Sequence, residues 1–386
     1  MTGRSADSYY SQEEMDLIKN GISKKLAYGD IARIIHETLG IFRTRNGIRK
    51  HVERHRKFYD NSVSSYNSDS FINSRGVVDN ESTNITSLIK LTKVSEYIST
   101  LNEIAKLTPS VKKIKPISSS KESLVLLLSD LHIGKRIVDC KGNVIYDTNI
   151  ALSYIKKLNN QLLHVMEHAG KGTKIDEIVV LILGDIVDNE IIYSSQIHHI
   201  DSCVSQQVNS ATKAVWELLR SLGTIEGIKS VRAVCVRGNH GVPSRDASSE
   251  DSNWDNVIYN NLEYISQLTD TNISIETNYA EYNIAEVKGH KILLRHNIPL
   301  TADTAAARAK LGGWFDLHQC QTIVGGHYHH PAIQTWNDKY VFRNGCLSGA
   351  DDLSERMAVY STPAQIVFGV SEKRLPTFMY VLSFDT

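Results

Sequence analysis

A chain of 386 residues has room for one large domain and a small one, and its 43 lysines and arginines balance 43 aspartates and glutamates, so net charge alone selects no partner. No apolar run approaches the ~18 residues of a membrane span and no signal peptide opens the chain, which excludes a membrane partner and predicts a cytoplasmic protein. The five cysteines, Cys140, Cys203, Cys235, Cys320 and Cys346, lack C-x-x-C spacing and are expected as reduced thiols, not as a zinc site.

The first helix is announced by Ser11-Gln-Glu-Glu14, an N-cap with an acidic first turn, followed by Met15, Ile18, Ile22 and Leu26 at helical spacing. A second helix covers Gly29–His36 and stops near Gly40, and a third runs from about Thr44 to Lys57. With Ala32, Ile35, Ile48 and Val52 facing inward, this unit, residues 1–59, resembles a homeodomain-like or Myb-like helix-turn-helix. The resemblance implies that the third helix enters the major groove of DNA. That segment carries Arg43, Arg45, Arg49, Lys50, Arg54, Arg56 and Lys57 against the single Glu53, a density that predicts several phosphate contacts and a steep salt dependence. Arg45, Asn46, Arg49 and Lys50 are the expected DNA contacts, with Asn46 and Arg49 aimed at base edges. Docking of another protein, or assembly of a homo-oligomer, is the competing use of such a unit.

Residues 60–85 are expected to be a flexible linker, since about half of that stretch is Ser or Asn. Its root-mean-square span is roughly 25–30 Å. The connector 86–120 opens with helical spacing at Leu88, Leu91, Val94, Ile98, Leu101 and Ile104, then breaks at Pro109 and Pro116.

From residue 121 onward, continuous apolar runs alternate with helical patterns. Leu124–Leu128, Ile178–Leu183, Val231–Val236, Ile292–Leu294 and Thr322–Val324 read as strands covered on both faces. Ile150, Ile155, Leu158, Leu162 and Val165 share one helix face, as do Val208, Ala211, Val215, Leu218 and Leu222. The pattern predicts an α/β fold, a β-sandwich flanked by helices, beside the small all-α N-terminal domain. Ala332–Asn344, turning at Asn337-Asp338, and Gln365–Val370 with Thr377–Phe384 are expected as hairpin strands of the second sheet.

Five short blocks in this region supply the residue types that bind a pair of metal ions: Asp130-Leu-His132, Gly184-Asp185, Gly238-Asn239-His240, His296, and Gly326-His327-Tyr-His329. Singly, each reads as a turn or a surface histidine. Their order, with four of them at the ends of strand-like runs, points to one site. Phosphate-ester hydrolysis needs a hydroxide nucleophile at neutral pH and neutralisation of the phosphoryl oxygens, and two metal ions roughly 3.5–4 Å apart supply both. Asp185 is the expected bridging carboxylate; Asp130, His132 and His329 complete one ion, and Asn239, His296 and His327 the other. Mixed imidazole, carboxylate and amide ligation suits Mn best, with Fe, Zn or Mg as alternatives. His240, left over beside a ligand, is expected to stabilise the transition state and protonate the leaving oxygen.

The five blocks resemble the calcineurin-like metallophosphoesterase family, over roughly residues 122–386, which places the catalytic domain at 121–386. Two positions depart from the family pattern. Gly241 stands where an acidic residue often orients the catalytic histidine, so another carboxylate is expected to hold His240. Asn189 follows Asp188 where Ser/Thr protein phosphatases carry Arg, which resembles the nuclease-type branch. Further substrate contacts are expected from Lys135 and Arg136 after the first block, from Arg245, and from His198 and His199, whereas strand alternation makes Arg295 structural. The resemblance therefore implies a dinuclear-metal phosphodiesterase acting on nucleic acid, as a DNA nuclease. The alternatives are a phosphodiesterase for cyclic or other small nucleotides, and a DNA-binding regulator or scaffold with a vestigial metal site. Joining a helix-turn-helix to such a domain resembles proteins of bacteria and their phages, where the host cytoplasm would be the setting.

Overall fold

Apolar residues at three- and four-residue spacing build three short helices in the N-terminal unit: α1 (Gln12–Ser23), α2 (Tyr28–Leu39) and α3 (Arg45–Arg54). The computed structural model describes residues 10–384 except 25, 42, 55–98, 107–120, 170–173, 245–248, 250, 302 and 350–360. The chain divides into two units, Met1–Thr92 and Lys93–Thr386. The first has its own core of Ile18, Ile22, Ile31, Ala32, Ile35, Ile48 and Val52. Ser11 caps α1 through a reciprocal pair, its Oγ accepting from Glu14 N and its own N–H donating to Glu14. Gly40, at φ 70°, ends α2 in the left-handed conformation.

Arg43 lies before α3 and serves the fold. Its guanidinium donates to both carboxylate oxygens of Glu14, at 2.7 and 3.2 Å, and lies 4.5 Å over the Tyr10 ring. It is therefore taken out of the basic set expected on the third helix. Arg45, Arg49 and Lys50 are exposed. The side chains of Asn46 and Arg54, residues Arg56 and Lys57, and the linker 60–85 lie outside the described residues.

In the second unit the continuous apolar runs become central strands because each has two faces to cover. One sheet runs in the order β13 (Met379–Ser383), β12 (Ala364–Val370), β1 (Lys121–Leu128), β4 (Lys174–Ile182), β5 (Ser230–Cys235), β6 (Ile273–Glu276). The other runs β10 (Ala332–Trp336), β11 (Lys339–Arg343), β9 (Thr322–Gly325), β8 (His290–Arg295), β7 (Tyr282–Val287), and a two-stranded ribbon pairs β2 (Ile137–Val138) with β3 (Val144–Tyr146). Along β1, Val125 and Leu127 face the second sheet and pack with Ile292, Leu294, Val324 and Phe342. Leu124, Leu126 and Leu128 face the opposite way, onto a core that includes α4 (Thr148–Ala169), α5 (Val204–Gly223) and α6 (Trp254–Leu268). Helix α7 (Ala305–His318) covers the outer face of the second sheet through Leu311 and Phe315. Leu101 and Ile104, in the helical residues 99–105, join the first outer core.

One expectation is corrected. β10 and β11 do form a hairpin of the second sheet, with both Asn337 and Asp338 at positive φ as a two-residue turn requires. β12 and β13, however, belong to the first sheet, where β12 pairs antiparallel with β1 from Ser123↔Val370 to Leu126↔Val367. Every residue of β12 is buried, so it needs cover on both faces, which the position beside β1 provides. Among the described residues no helix is long and apolar enough to cross a membrane.

Candidate metal centre

Strand direction brings the five blocks together. β1, β4 and β5 are mutually parallel, as are β8, β9 and β11, so the loops leaving their C-terminal ends meet at one edge of the sandwich. Backbone hydrogen bonds lace them together: Asp130 N–H donates to Gly184 O (3.0 Å), His132 N–H to Asp185 O (3.1 Å), and Gly326 N–H to His296 O (2.9 Å). Beneath the first block, buried Gln365 and Asn344 bond each other and Ser129, so the segment after β11 forms the floor of the site.

Three overlapping groups of side chains could hold an ion, Asp130 with His132 and His329, His132 with Asp188 and His240, and Asp185 with His296 and His327; the first and last correspond to the two expected ligand sets. In the first set, His132 Nε2 and His329 Nε2 are 3.1 Å apart, and Asp130 Oδ1 lies 4.0 and 3.5 Å from them. In the second set, His296 Nε2 lies 3.1 Å from both Asp185 Oδ2 and Asn239 Oδ1, and His327 stands with Asp185 and His296. The sets adjoin, since His327 N–H donates to both oxygens of Asp130 at 3.1 Å. Imidazole nitrogens and carboxylate oxygens converging in a buried site fit divalent ions of borderline softness, and seven donors suffice for two of them.

The backbone is strained where the ligands sit. Ten described non-glycine residues have positive φ, and Asp130, His132, Asp185, His327 and His329 are five of them. Such conformations cost about 1–3 kcal/mol each and persist where the surroundings over-determine them. Gly238 shows how tight the packing is, because a Cβ there would lie 2.1 Å from Asp185 Oδ1.

His240 is held by Asp188, the carboxylate that Gly241 does not supply. Its Nδ1 lies 3.0 Å from Asp188 O and 3.5 Å from Asp188 Oδ1, and its backbone N–H donates to Asp185 Oδ1 at 2.7 Å. Asp188 Oδ1 also stands 3.1 Å from His132 Nδ1, close but not aligned for a hydrogen bond, so one carboxylate orients both His132, an expected ligand, and His240, the expected proton donor. A Cβ on Gly241 would fall 2.0 Å from Asn253 Oδ1, which explains the missing acidic residue. Asn189 donates to His240 O and Val242 O at 2.7 and 2.8 Å, fixing the third block from below.

The charges follow from this crowding. Burial pushes Asp185 up, but His296 and His240 outweigh it and hold the carboxyl well below its ordinary range; Asp188 is likewise held down by His132 and His240 against burial. Burial works against a charged His240 and His296, yet Asp185 and its neighbouring carboxylates raise them to about 9 and about 10. Burial and the charge of His296 drop His327 to about 4, leaving a neutral imidazole suited to ligation.

Asp255 escapes sequence reasoning. Fully buried in the first turn of α6, it accepts from Asp185 N, Ile186 N and Gly238 N at 2.9, 3.1 and 2.8 Å, so it joins the second and third blocks. Burial, then the charge of Asp185, raises it to about 6. Its only local signal is an acid after the capping Asn253, the mark of an ordinary helix start. Of the expected substrate contacts, Lys135 is 6 % exposed, and its charge helps keep Asp188 ionised. Arg136, His198 and His199 are exposed, and Arg136 N–H donates to His199 O at 2.8 Å, which puts them on one rim. Arg245 lies outside the described residues.

The family model for the calcineurin-like phosphoesterase matches residues 123–331. No curated protein matches the chain. Among solved structures it is similar to Vps29 of Entamoeba histolytica complexed with zinc, at 13 % identity and TM-score 0.31 over 68 % of this chain and 99 % of that one. An archaeal phosphodiesterase shares 10 % identity at TM-score 0.34, over 68 % and 99 %. An uncharacterized protein of Streptococcus pneumoniae TIGR4, described as a predicted phosphoesterase, shares 13 % at 0.29, over 68 % and 98 %. The assignment rests on the sequence match, which spans all five blocks up to His329, and not on these overlaps. The chain belongs to the calcineurin-like phosphoesterase family and is a metal-dependent phosphoesterase.

Proposed function

We propose that this enzyme hydrolyses the phosphodiester bonds of nucleic acid, with DNA as substrate and Mn as the ion. The observation that carries the reading is a separate three-helix unit with its own core, on which Arg45, Arg49 and Lys50 of α3 are exposed. As a homeodomain-like helix-turn-helix it would hold DNA through phosphate contacts, which a small-nucleotide enzyme does not need. Asp130, His132, His329, Asp185, Asn239, His296 and His327 would hold divalent ions, and these would supply charge neutralisation and a nucleophile at neutral pH. The chain's own contribution is His240. With Nδ1 turned to Asp188, its Nε2 is the atom that gives a proton to the leaving oxygen.

The test is cleavage of end-labelled single- and double-stranded DNA with Mn, beside a chelator control and the Asp185→Asn protein. Metal-dependent cleavage that the variant lacks supports a nuclease. Absence of cleavage by a protein that still hydrolyses a chromogenic diester overturns it in favour of a small-nucleotide phosphodiesterase.

A further inference from the structure

We infer that the cavity of about 610 Å³ beside the second ligand set binds a second phosphate of an oligonucleotide, next to the scissile one. The inference rests on the nucleic-acid reading above and says which part of the substrate that reading must supply. Asn239, His296 and His327 form one wall of the cavity, so a phosphoryl group at the ions opens directly into it. The remaining wall is cationic, carrying Arg237, Arg295 and Lys310.

These cations are built in to different degrees. Arg295 is fixed: it pairs with Glu281 at 3.0 Å and lies 4.5 Å over the Trp314 ring. Lys310 Nζ stands 5.0 Å from the same ring, on an exposed position of α7. Arg237 has no ionic partner among the described residues. Three cations face one carboxylate, and Glu281 is 73 % exposed, so the cavity is net positive where its wall meets the ligands. His240 does not line it; the leaving group, which His240 serves, is therefore not the occupant. What remains is the retained side of the substrate. A cyclic nucleotide has a single phosphate, already engaged by the ions, and would leave Arg237 and Lys310 unused. A linear oligonucleotide brings the second anion at the neighbouring nucleotide, and guanidinium and ammonium groups are the donors that bind it.

The experiment compares kcat/KM for a dinucleotide whose only phosphate is the scissile diester with the same dinucleotide carrying one further phosphate, placed at either end. Wild type should prefer one phosphate-bearing form by at least about tenfold, the worth of one charge-assisted hydrogen bond. Arg237→Gln and Lys310→Glu should each shrink that preference, and Lys310→Arg should retain it. Lys310 is exposed, so its variants report on the cavity without a folding defect; a thermal melt checks this. No preference in wild type, or an undiminished one in both Arg237→Gln and Lys310→Glu, overturns the cavity assignment while the nuclease reading stands. Failure to cleave any dinucleotide or DNA, with a chromogenic diester still hydrolysed, overturns the nucleic-acid reading and this inference with it.

Discussion

Both units of the chain bury carboxylates, and they compensate them in different ways. In the three-helix unit Glu14 is 2 % exposed and receives two hydrogen bonds from Arg43, plus the Ser11 cap. The chain carries its own cation, and the carboxyl is held below its ordinary value, first by that hydrogen bond. In the sandwich, Asp130, Asp185 and Asp188 are all buried and meet imidazoles, with no arginine pairing with them among the described residues. Without ions, His240 and His296 must hold their protons to offset these carboxylates, whereas a histidine that ligates a metal gives its proton up and leaves the ion to supply the charge. The difference teaches that the first arrangement stabilises a fold by itself, whereas the second is completed by ions.

The contrast can be sharpened from the site outward. His240→Ala removes the chain's own proton donor and no ligand; it should retain its ions in metal analysis yet lose about 10²–10⁴ in turnover. Unchanged turnover would remove His240 from the chemistry. Asp188→Asn keeps the shape but weakens the anchor of His240 and His132, so activity or metal affinity should fall about 10–100-fold, with a shifted pH–rate profile that a loss of packing alone would not give. Deleting residues 1–60 should leave hydrolysis of a small chromogenic diester intact while weakening DNA cleavage at physiological salt. Equal DNA cleavage at that salt would give the three-helix unit another task. The smallest effect is in the fold. Glu14→Gln should destabilise α1–α3 by about 2–3 kcal/mol, read by hydrogen exchange on the full chain. Because the folded pKa of Glu14 lies below its ordinary 4.5, the stabilisation is full above that value and fades as pH falls through the folded pKa. Chelator should leave this unit's exchange unaltered and hasten that of the loops after β1, β4 and β5.

Much of this was legible because the informative residues are local in sequence. Leu124–Leu128 and Ile178–Leu183 are uninterrupted apolar runs, and the ligand blocks follow them directly, so strand, turn and ligand fall in one short window. α4 and α5 show clean apolar faces. α7 does not: Gly312 and Gly313 interrupt it and its apolar residues are spread around the axis, so it escapes a periodicity argument. α6 is different, since Ile258, Tyr259, Leu262 and Ile265 share one buried face at helical spacing, a pattern that was there to be read. The sheet that takes β12 depends on pairing Leu124 with Gly369, which nothing near either residue encodes. Asp255 and Asp188 were hidden for the same reason: their partners are backbone N–H groups and histidines 17 to 70 residues away in the first case and on other blocks in the second. Arg43 misled because a basic residue beside a basic helix gives no sign of a buried glutamate waiting on α1.

The most direct measurement of the central claim is the number of Mn ions bound per chain, by equilibrium metal analysis of the wild type and of Asp185→Asn, with thermal melts of each in Mn and in chelator. Two ions bound to the wild type, reduced occupancy in the variant, and a melting temperature that Mn raises only in the wild type are expected of buried carboxylates that ions complete. A wild type that binds no Mn and melts at the same temperature in chelator would contradict the account.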